Sequence, residues 1–265
     1  MEKTLKYQEK NIYYRLEGEG DTLILLHGFM EDSKMWDHHI TQLSNTYQVL
    51  AVDLPGHGSS DVLSSTHSME LMADIVKAVM DAEDMSKAVV VGHSMGGYAT
   101  LAFAERYPEV IQGFGLFHSH TLADSPEAKE NRERTVKIVE NEKMSFINQF
   151  IPSLYAEANR DRLKKEITYQ IEMANKMDPQ GITAALLGMK DRPMRLDIVA
   201  LSQVPVLFVL GKQDSRIPLE KAMAQAATAD VAQIHIFGEA GHMSWQEETE
   251  KTIAALKGFM TLCCG

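Results

Sequence analysis

The chain has 265 residues, which is enough for one large α/β domain or for a core with an inserted subdomain. Its formal net charge of −11 at pH 7 argues against nucleic acid or an anionic membrane as the main partner. No apolar run approaches the ~20 residues that span a bilayer, and the N-terminus is too polar for a signal peptide, so we expect a cytoplasmic protein.

Two kinds of apolar pattern predict the sheet. Residues 4–17 alternate loosely around a polar break at 9–11, which predicts an antiparallel hairpin at the sheet edge. Short, nearly unbroken apolar runs separated by helical patterns then predict parallel strands covered on both faces, over 22–26, 48–52, 88–91, 113–117, 205–210 and 233–237. Together they indicate an α/β fold with a mostly parallel, doubly wound sheet, whose ligands bind at the carboxyl ends of the strands.

Helices are predicted between the strands, most clearly over 68–80 with Ser68 as the N-cap. The alternation stops between 120 and 193, where helical spacing covers 127–142, 146–155, 161–177 and 181–190. A helical insertion after one strand, before the sheet resumes, is typical of a cap. We therefore predict an α/β core of residues 1–119 and 194–265 with an inserted helical cap at 120–193, the alternative being an independent domain.

The segment Gly92-His93-Ser94-Met95-Gly96 follows a buried strand and begins a helix, as a nucleophile elbow does. Small residues two positions before and after Ser94 allow the tight turn, and the serine hydroxyl stands above the sheet. The Met95 N–H then lies at a helix N-terminus, where a developing oxyanion is favoured. A second oxyanion donor, the Phe29 N–H, is predicted in the loop after the first parallel strand.

A serine nucleophile needs a base and an acid that orients the base. Asp214 follows the strand at 205–210, and His242 follows the last strand in a glycine-rich loop, so both belong to the same rim as Ser94. Asp124, just past the strand at 113–117, is the rival acid. His27 could be mistaken for the base, but we interpret it as a buried histidine that orders its loop.

Two further patterns receive structural interpretations. The glycine-rich turn at 53–59 lacks the Lys-Ser/Thr of a phosphate-binding loop, so we interpret it as a structural turn. The adjacent Cys263 and Cys264 are unsuited to stapling a fold, which fits a reducing compartment, and no nearby His or Cys completes a metal site.

Five motifs in order resemble those of the α/β-hydrolase superfamily, and within it the serine carboxylesterase-like members with a helical cap: His27-Gly28-Phe29, residues 53–58, residues 92–97, residues 211–214 and Gly241-His242. The resemblance implies hydrolysis through an acyl-enzyme, without metal or organic cofactor. Dehalogenases and epoxide hydrolases of this fold carry Asp at the nucleophile position, where this chain has Ser94. The single Gly28 implies a tight oxyanion loop that tolerates bulky tertiary alcohol esters poorly.

We therefore predict a serine hydrolase of small to medium uncharged carboxylic esters, with Ser94, His242 and Asp214 as its triad. The pocket wall is expected to be apolar and to include Met30 and Met243, which the motifs place beside the triad. A C–C bond hydrolase or a thioesterase on the same triad is the alternative, since fold and triad do not fix the substrate. A non-catalytic ligand-binding sensor is the alternative from another class. The sequence leaves the oligomeric state open.

Overall fold

The computed structural model describes residues 1–265. It contains eight strands: β1 (Glu2–Tyr7), β2 (Lys10–Glu17), β3 (Thr22–Leu26), β4 (Gln48–Val52), β5 (Ala88–His93), β6 (Ile111–Phe117), β7 (Val206–Gly211) and β8 (Ala232–Phe237). They form one sheet in the order β1-β2-β4-β3-β5-β6-β7-β8. β1 pairs antiparallel with β2 and β2 with β4, whereas all other neighbours are parallel. The predicted parallel sheet with an N-terminal antiparallel hairpin is confirmed.

Ten α-helices connect and cover the strands: α1 (Asp37–Leu43), α2 (Met69–Ala82), α3 (Met95–Arg106), α4 (Pro126–Ser153), α5 (Lys164–Lys176), α6 (Pro179–Asp191), α7 (Leu196–Ala200), α8 (Leu219–Ala226), α9 (Ser244–Glu247) and α10 (Thr249–Cys264). Short 3-10 helices lie at Ser33–Trp36 and Glu157–Asn159. The Ser68 hydroxyl caps α2 by accepting the Leu71 N–H at 3.1 Å, as the sequence predicts. None of the helices combines the length and apolarity needed to cross a bilayer.

Burial follows the position of each strand in the sheet. Every residue of β3 and β5 is buried, because helices cover the central strands on both faces. Exposed and half-buried residues alternate along β8, which is an edge strand. The carboxyl ends of the central strands therefore stand on a rigid, close-packed base.

The segment between β6 and β7 is helical, and its first span is kinked where the sequence predicts a helix boundary. The helices predicted at 127–142 and 146–155 lie within one continuous span, α4, which joins two helices across a kink at Glu142. Glu142 leaves helical geometry there, with φ −139° and ψ 40°. Both α5 and α6 pack against α4.

This helical segment contacts the loops at the carboxyl edge of the sheet. The His242 N–H donates to the Leu154 carbonyl at 2.7 Å, and the His67 N–H donates to the Ala184 carbonyl at 2.9 Å. Gly56 and Gly181 approach so closely that a Cβ on Gly56 would lie 2.6 Å from the Gly181 Cα. The segment therefore lies over the loops that follow β4 and β8.

Candidate active site

Ser94 occupies a strained turn between β5 and α3. Its φ of 50° and ψ of −111° lie outside the conformations that side chains adopt freely. A Cβ on Gly92 would lie 2.1 Å from the Gly96 backbone, so the turn closes only with glycine at position 92. The Ser94 N–H is held by the Phe117 carbonyl at 2.9 Å. The chain thus fixes a half-buried serine at the carboxyl edge of the sheet.

His242 and Asp214 are brought together by the loops that follow β8 and β7. His242 Nδ1–H donates to Asp214 Oδ2 at 2.9 Å, and it lies 3.1 Å from Oδ1. The carboxylate also accepts the backbone N–H groups of Arg216 and Ile217, at 2.7 and 3.0 Å. Burial alone would raise the pKa of Asp214, but the attraction of His242 and its hydrogen bonds hold that pKa well below its usual range. The carboxylate therefore stays ionised and orients the imidazole ring.

Ser94 and His242 line one cavity of about 330 Å³. The hydrogen bonds of the His242 ring go to Asp214 and not to the serine hydroxyl, and catalytic hydrogen bonds commonly tighten only when substrate is bound. The apolar part of the wall consists of Phe29, Tyr98, Ala128, Phe150, Leu154, Met189 and Ile217. The helical segment between β6 and β7 contributes Phe150, Leu154 and Met189, so it closes one side of the cavity.

The two backbone N–H groups predicted to hold an oxyanion form no hydrogen bond within the helix or loop to which they belong. The Phe29 N–H, beside the Ser94 cavity, donates to no acceptor in the protein. Met95 is the first residue of α3, where an N–H has no acceptor within its own helix. One donor belongs to a residue that lines the same cavity as Ser94, and the other follows Ser94 directly in the elbow.

The comparisons with known proteins agree with this architecture. A family model described as "Alpha/beta hydrolase family" matches residues 23–256. The chain belongs to this family. It is similar over 92% of its length, at 30% identity, to the dihydrolipoyllysine-residue acetyltransferase component of the acetoin cleaving system of Cupriavidus necator, but it spans only 65% of that relative. It is 28% identical to the 2-hydroxy-6-oxononadienedioate/2-hydroxy-6-oxononatrienedioate hydrolase of Paraburkholderia phymatum, covering 95% of this chain and 91% of the relative.

Two solved structures share the whole fold. A thermophilic esterase from Thermogutta terrifontis, with malate bound, matches with a TM-score of 0.93 and 31% identity over 98% of both chains. The enol-lactonase of Burkholderia xenovorans LB400 matches with a TM-score of 0.90 over 98% of this chain and 100% of that one. Its 21% identity makes it evidence for the fold alone. The family match and the esterase structure place the chain in the α/β-hydrolase family, and both structures share its fold.

The loop after β3 is ordered by a histidine, as the sequence predicts. His27 is fully buried, its Nδ1–H donates to the Gly28 carbonyl at 2.7 Å, and its Nε2 accepts the Leu54 N–H at 2.8 Å. The ring therefore ties the loop after β3 to the loop after β4. The glycine-rich turn that follows β4 is held by Asp53, which accepts the N–H groups of Ser33 and Ser59, each at 2.8 Å.

A buried ion pair, which the sequence analysis missed, connects three loops of the site. Glu31 Oε2 accepts the Gly28 N–H and His93 Nδ1–H, each at 2.7 Å. His93 Nε2–H donates to the His242 carbonyl at 2.9 Å, so both ring nitrogens carry protons. Burial alone would lower the pKa of His93, but the Glu31 carboxylate raises it above its ordinary value. The only signal for this pair in the sequence is that Glu31 lies three residues after Gly28, within the predicted oxyanion loop.

His118 is a second histidine on Asp214, also missed from the sequence although it follows β6 directly. Its Nδ1 lies 2.7 Å from Asp214 Oδ2 and its Nε2 lies 2.7 Å from the Ser244 Oγ. Nitrogen and oxygen ligands of one tetrahedral zinc ion stand about 3.3 Å apart, so the 2.7 Å contact has the length of a hydrogen bond. We describe His118, Asp214 and His242 as a hydrogen-bond network on this ground.

Asp124, the rival acid, contacts arginines and not His242. Its carboxylate pairs with Arg132 and, at 2.7 Å, with Arg192. Burial alone would raise the pKa of Asp124, but the two guanidinium groups hold it below its usual range. Asp124 and Arg132 both line the Ser94 cavity, so part of its wall is charged, whereas the sequence predicts an apolar wall.

The two methionines predicted for the pocket lie elsewhere. Met30 has a φ of 59° and lines a neighbouring cavity of about 260 Å³, which also contacts Tyr169 and Trp245. Met243 is fully buried in the core, and its N–H donates to Glu247 at 3.2 Å. Met30 and Met243 are next to Phe29 and His242 in the sequence, but they do not line the Ser94 cavity. The backbone turns at both positions and directs these side chains elsewhere.

Proposed function

We propose that this hydrolase cleaves small to medium uncharged carboxylic esters through an acyl-enzyme on Ser94. The observation that carries the proposal is the pairing of a serine at a strained elbow with His242, held by the ionised Asp214 at the same cavity. The 31% identical esterase structure supports an ester as substrate. Residues 120–193 act in this proposal as a cap that encloses the acyl chain.

The residues of the site have defined roles in the proposed reaction. His242 Nε2 takes the hydroxyl proton of Ser94 as Oγ bonds to the carbonyl carbon, and the Phe29 and Met95 amides hold the resulting oxyanion. His242 then gives that proton to the departing alcohol, which leaves an acyl-serine. In the second half, His242 removes a proton from water as the water oxygen bonds to the acyl carbon. The bond from that carbon to Ser94 Oγ then breaks, and His242 returns the proton to Oγ, which releases the carboxylic acid and free Ser94. Asp214 keeps the imidazole proton on Nδ1 throughout. The reaction needs no metal or organic cofactor.

The cavity supports the proposed size and charge of the substrate. A volume of about 330 Å³ lies at the lower end of the 300–1,000 Å³ range of ligand pockets. Arg132 is held by Asp124, which also pairs with Arg192, and the Arg216 side chain is exposed and hydrogen-bonded to Ser153 Oγ at 2.7 Å. We therefore expect a monoalkyl succinate to be hydrolysed more slowly than the matching butyrate. Faster hydrolysis of the succinate would contradict the uncharged class and implicate Arg216.

A C–C bond hydrolase is the second candidate, because a relative covering 95% of the chain carries that description. The same triad would serve it, as it would a thioesterase. A panel of p-nitrophenyl esters, acyl thioesters and vinylogous β-diketones separates the three by their kcat/KM values. Tight binding without turnover on the whole panel would favour the ligand-binding sensor.

The decisive test of the proposal is the replacement of the nucleophile. Ser94→Ala should lower kcat on p-nitrophenyl butyrate by about 10⁴ to 10⁶ and leave folding intact. A fluorophosphonate should label the wild type at Ser94 and should not label the variant. Ser86→Ala, at an exposed serine outside the site, is the matched control and should keep full activity. Full turnover by Ser94→Ala would exclude the assignment.

A further inference from the structure

His118 stands in an unusual backbone conformation at the end of β6. Its φ of 50° lies in the left-handed region, and its N–H is fixed by the Val209 carbonyl at 2.8 Å. The side chain is fully buried. The backbone thus turns an imidazole ring inward, toward the loop after β7, and the ester mechanism above assigns no role to it.

The proton positions on this ring follow from its two partners. A carboxylate only accepts hydrogen bonds, so His118 Nδ1, 2.7 Å from Asp214 Oδ2, must carry a proton. Burial lowers the pKa of His118 to about 4, so near neutral pH the ring holds one proton only. Nε2 is then an acceptor, and the Ser244 hydroxyl must donate to it across 2.7 Å.

Asp214 Oδ2 therefore receives two imidazole N–H donors, one from His118 and one from His242 at 2.9 Å. Each donor draws negative charge from the carboxylate and weakens its attraction for a proton on the other ring. The two donors also fix the plane of the carboxylate, and that plane decides the direction in which Nδ1 of His242 points.

We propose that His118 is a positioning residue, which holds the Asp214 carboxylate in the plane that orients the His242 ring. By donating to Asp214, His118 also weakens the attraction of the carboxylate for a proton on His242. The proposal rests on the proposed function, in which Asp214 and His242 belong to the triad. His118 touches no substrate, so it acts only through Asp214. The Ser244 hydroxyl donates to Nε2 of His118 and so keeps the ring proton on Nδ1, which faces Asp214.

The other charged groups near the two rings are Glu247, the Glu31–His93 pair and Arg216. Glu247 is buried and accepts the N–H groups of Gly241 and Met243, at 2.8 and 3.2 Å. His93 faces both rings, with ring centroids 6.1 Å from His118 and 5.0 Å from His242, and its charge is balanced by Glu31. Arg216 contributes a backbone N–H to Asp214 and an exposed guanidinium group. Substitutions at position 118 leave all of these unchanged, so a shift in the pH profile reports on the bond to Asp214.

The experiment compares His118→Phe, which removes the donor, with His118→Asn, whose side-chain amide can replace Nδ1–H and which tolerates a positive φ. For His118→Phe we expect kcat/KM on p-nitrophenyl butyrate to fall by about 10- to 100-fold. The acid limb of the kcat/KM–pH profile of this variant should move to higher pH by about half a unit. The reason is that Asp214, with one hydrogen-bond donor fewer, stabilises protonated His242 more strongly. His118→Asn should restore kcat/KM to within about threefold of the wild type and return the limb to its original position.

Two controls separate positioning from a loss of structure. His39→Phe replaces another fully buried histidine that is bonded to a hydroxyl, Thr252 Oγ1 at 2.9 Å, and it should lower Tm without moving the acid limb. Ser244→Ala should move the limb in the same direction as His118→Phe but by less, and it replaces His118→Phe as the test if that variant does not fold. An unmoved acid limb in the folded variants, or a loss that His118→Asn fails to restore, would overturn the proposal.

A second readout distinguishes this proposal from the proposed function. If the wild type hydrolyses no ester, the ring ¹⁵N signals of His242 can still be titrated by NMR in the wild type and in His118→Phe. A higher titration midpoint in the variant would support positioning of Asp214 by His118 even where the ester assignment fails. Equal midpoints would refute it whatever the substrate.

Discussion

Gly28→Ala tests whether the Glu31–His93 pair fixes the loop that carries the Phe29 amide. A Cβ at position 28 would lie 2.5 Å from Glu31 Oε2 and 2.6 Å from His93 Nδ1. These two atoms are 2.7 Å apart in a hydrogen bond, and both side chains are at most 5% exposed, so neither can swing into solvent. The backbone φ of Gly28 is not positive, so the methyl group acts through its volume alone.

The expected magnitude follows from the pair that the methyl group would separate. Breaking a buried ion pair costs about 3–5 kcal/mol, which in a chain of this size lowers Tm by roughly 6–20 °C. If the loop shifts and the Phe29 N–H leaves the oxyanion position, kcat should fall by about 10²–10³. Both effects come from one methyl group placed between two buried, charged side chains.

The assays are calorimetry for Tm and p-nitrophenyl butyrate hydrolysis for kcat. Gly238→Ala is the matched control, because no atom lies within 4 Å of the Cβ that it would add, and its Tm and kcat should equal those of the wild type. A Gly28→Ala enzyme with a wild-type Tm and kcat would refute the reasoning that the pair is rigid.

Three further predictions follow from the site. Asp214→Asn should lower kcat by about 10⁴, at least ~10² more than Asp124→Asn, because only Asp214 contacts the base; the reverse ranking would move the acid to Asp124. Burial lowers the pKa of His39 to about 3 and that of His118 to about 4. The unfolded chain takes up these protons below about pH 6.5 and the folded chain does not, so acid favours unfolding. The free energy of unfolding, measured with urea, should therefore fall from pH 6.5 to 4 by up to about 1.4 kcal/mol per pH unit for each histidine, and equal values at pH 6.5 and 4.5 would contradict this. Along p-nitrophenyl acetate, butyrate, hexanoate, octanoate and laurate, kcat/KM should peak before laurate, whereas a rise at laurate or activation on an emulsion would mean that the cap opens as a lid.

The parts of the fold that the sequence predicts well are those with a local cause. The strands β3 and β4 begin and end at the predicted residues, because unbroken apolar runs mark the buried centre of a parallel sheet. The meeting of Asp214 and His242 follows from topology, since residues just after neighbouring parallel strands reach the same edge. The kink of α4 lies at Glu142, where the helical pattern of residues 127–142 ends, although no proline or glycine marks it.

The residues that escaped prediction are buried polar side chains with distant partners. Glu31 and His93 are 62 residues apart, and His118 and Asp214 are 96 apart. No local pattern distinguishes such a histidine from the others in the chain, because its role depends on which loops meet in three dimensions. The prediction that Met30 and Met243 line the pocket was wrong for another reason. A residue next to a site residue in the sequence need not point its side chain toward the same cavity.

The buried polar residues explain how irregular loops hold a catalytic geometry. Loops at the carboxyl edge lack the ladder hydrogen bonds that fix strands, so side chains must supply the order. Two chains of hydrogen bonds meet at His242: Glu31 and His93 hold its backbone carbonyl, and Asp214, itself held by His118, takes its Nδ1–H. The backbone and one ring nitrogen are thereby fixed, while Nε2 donates to or accepts from no protein group. In the proposed reaction, the nitrogen that exchanges a proton with Ser94 is the one that the network leaves free.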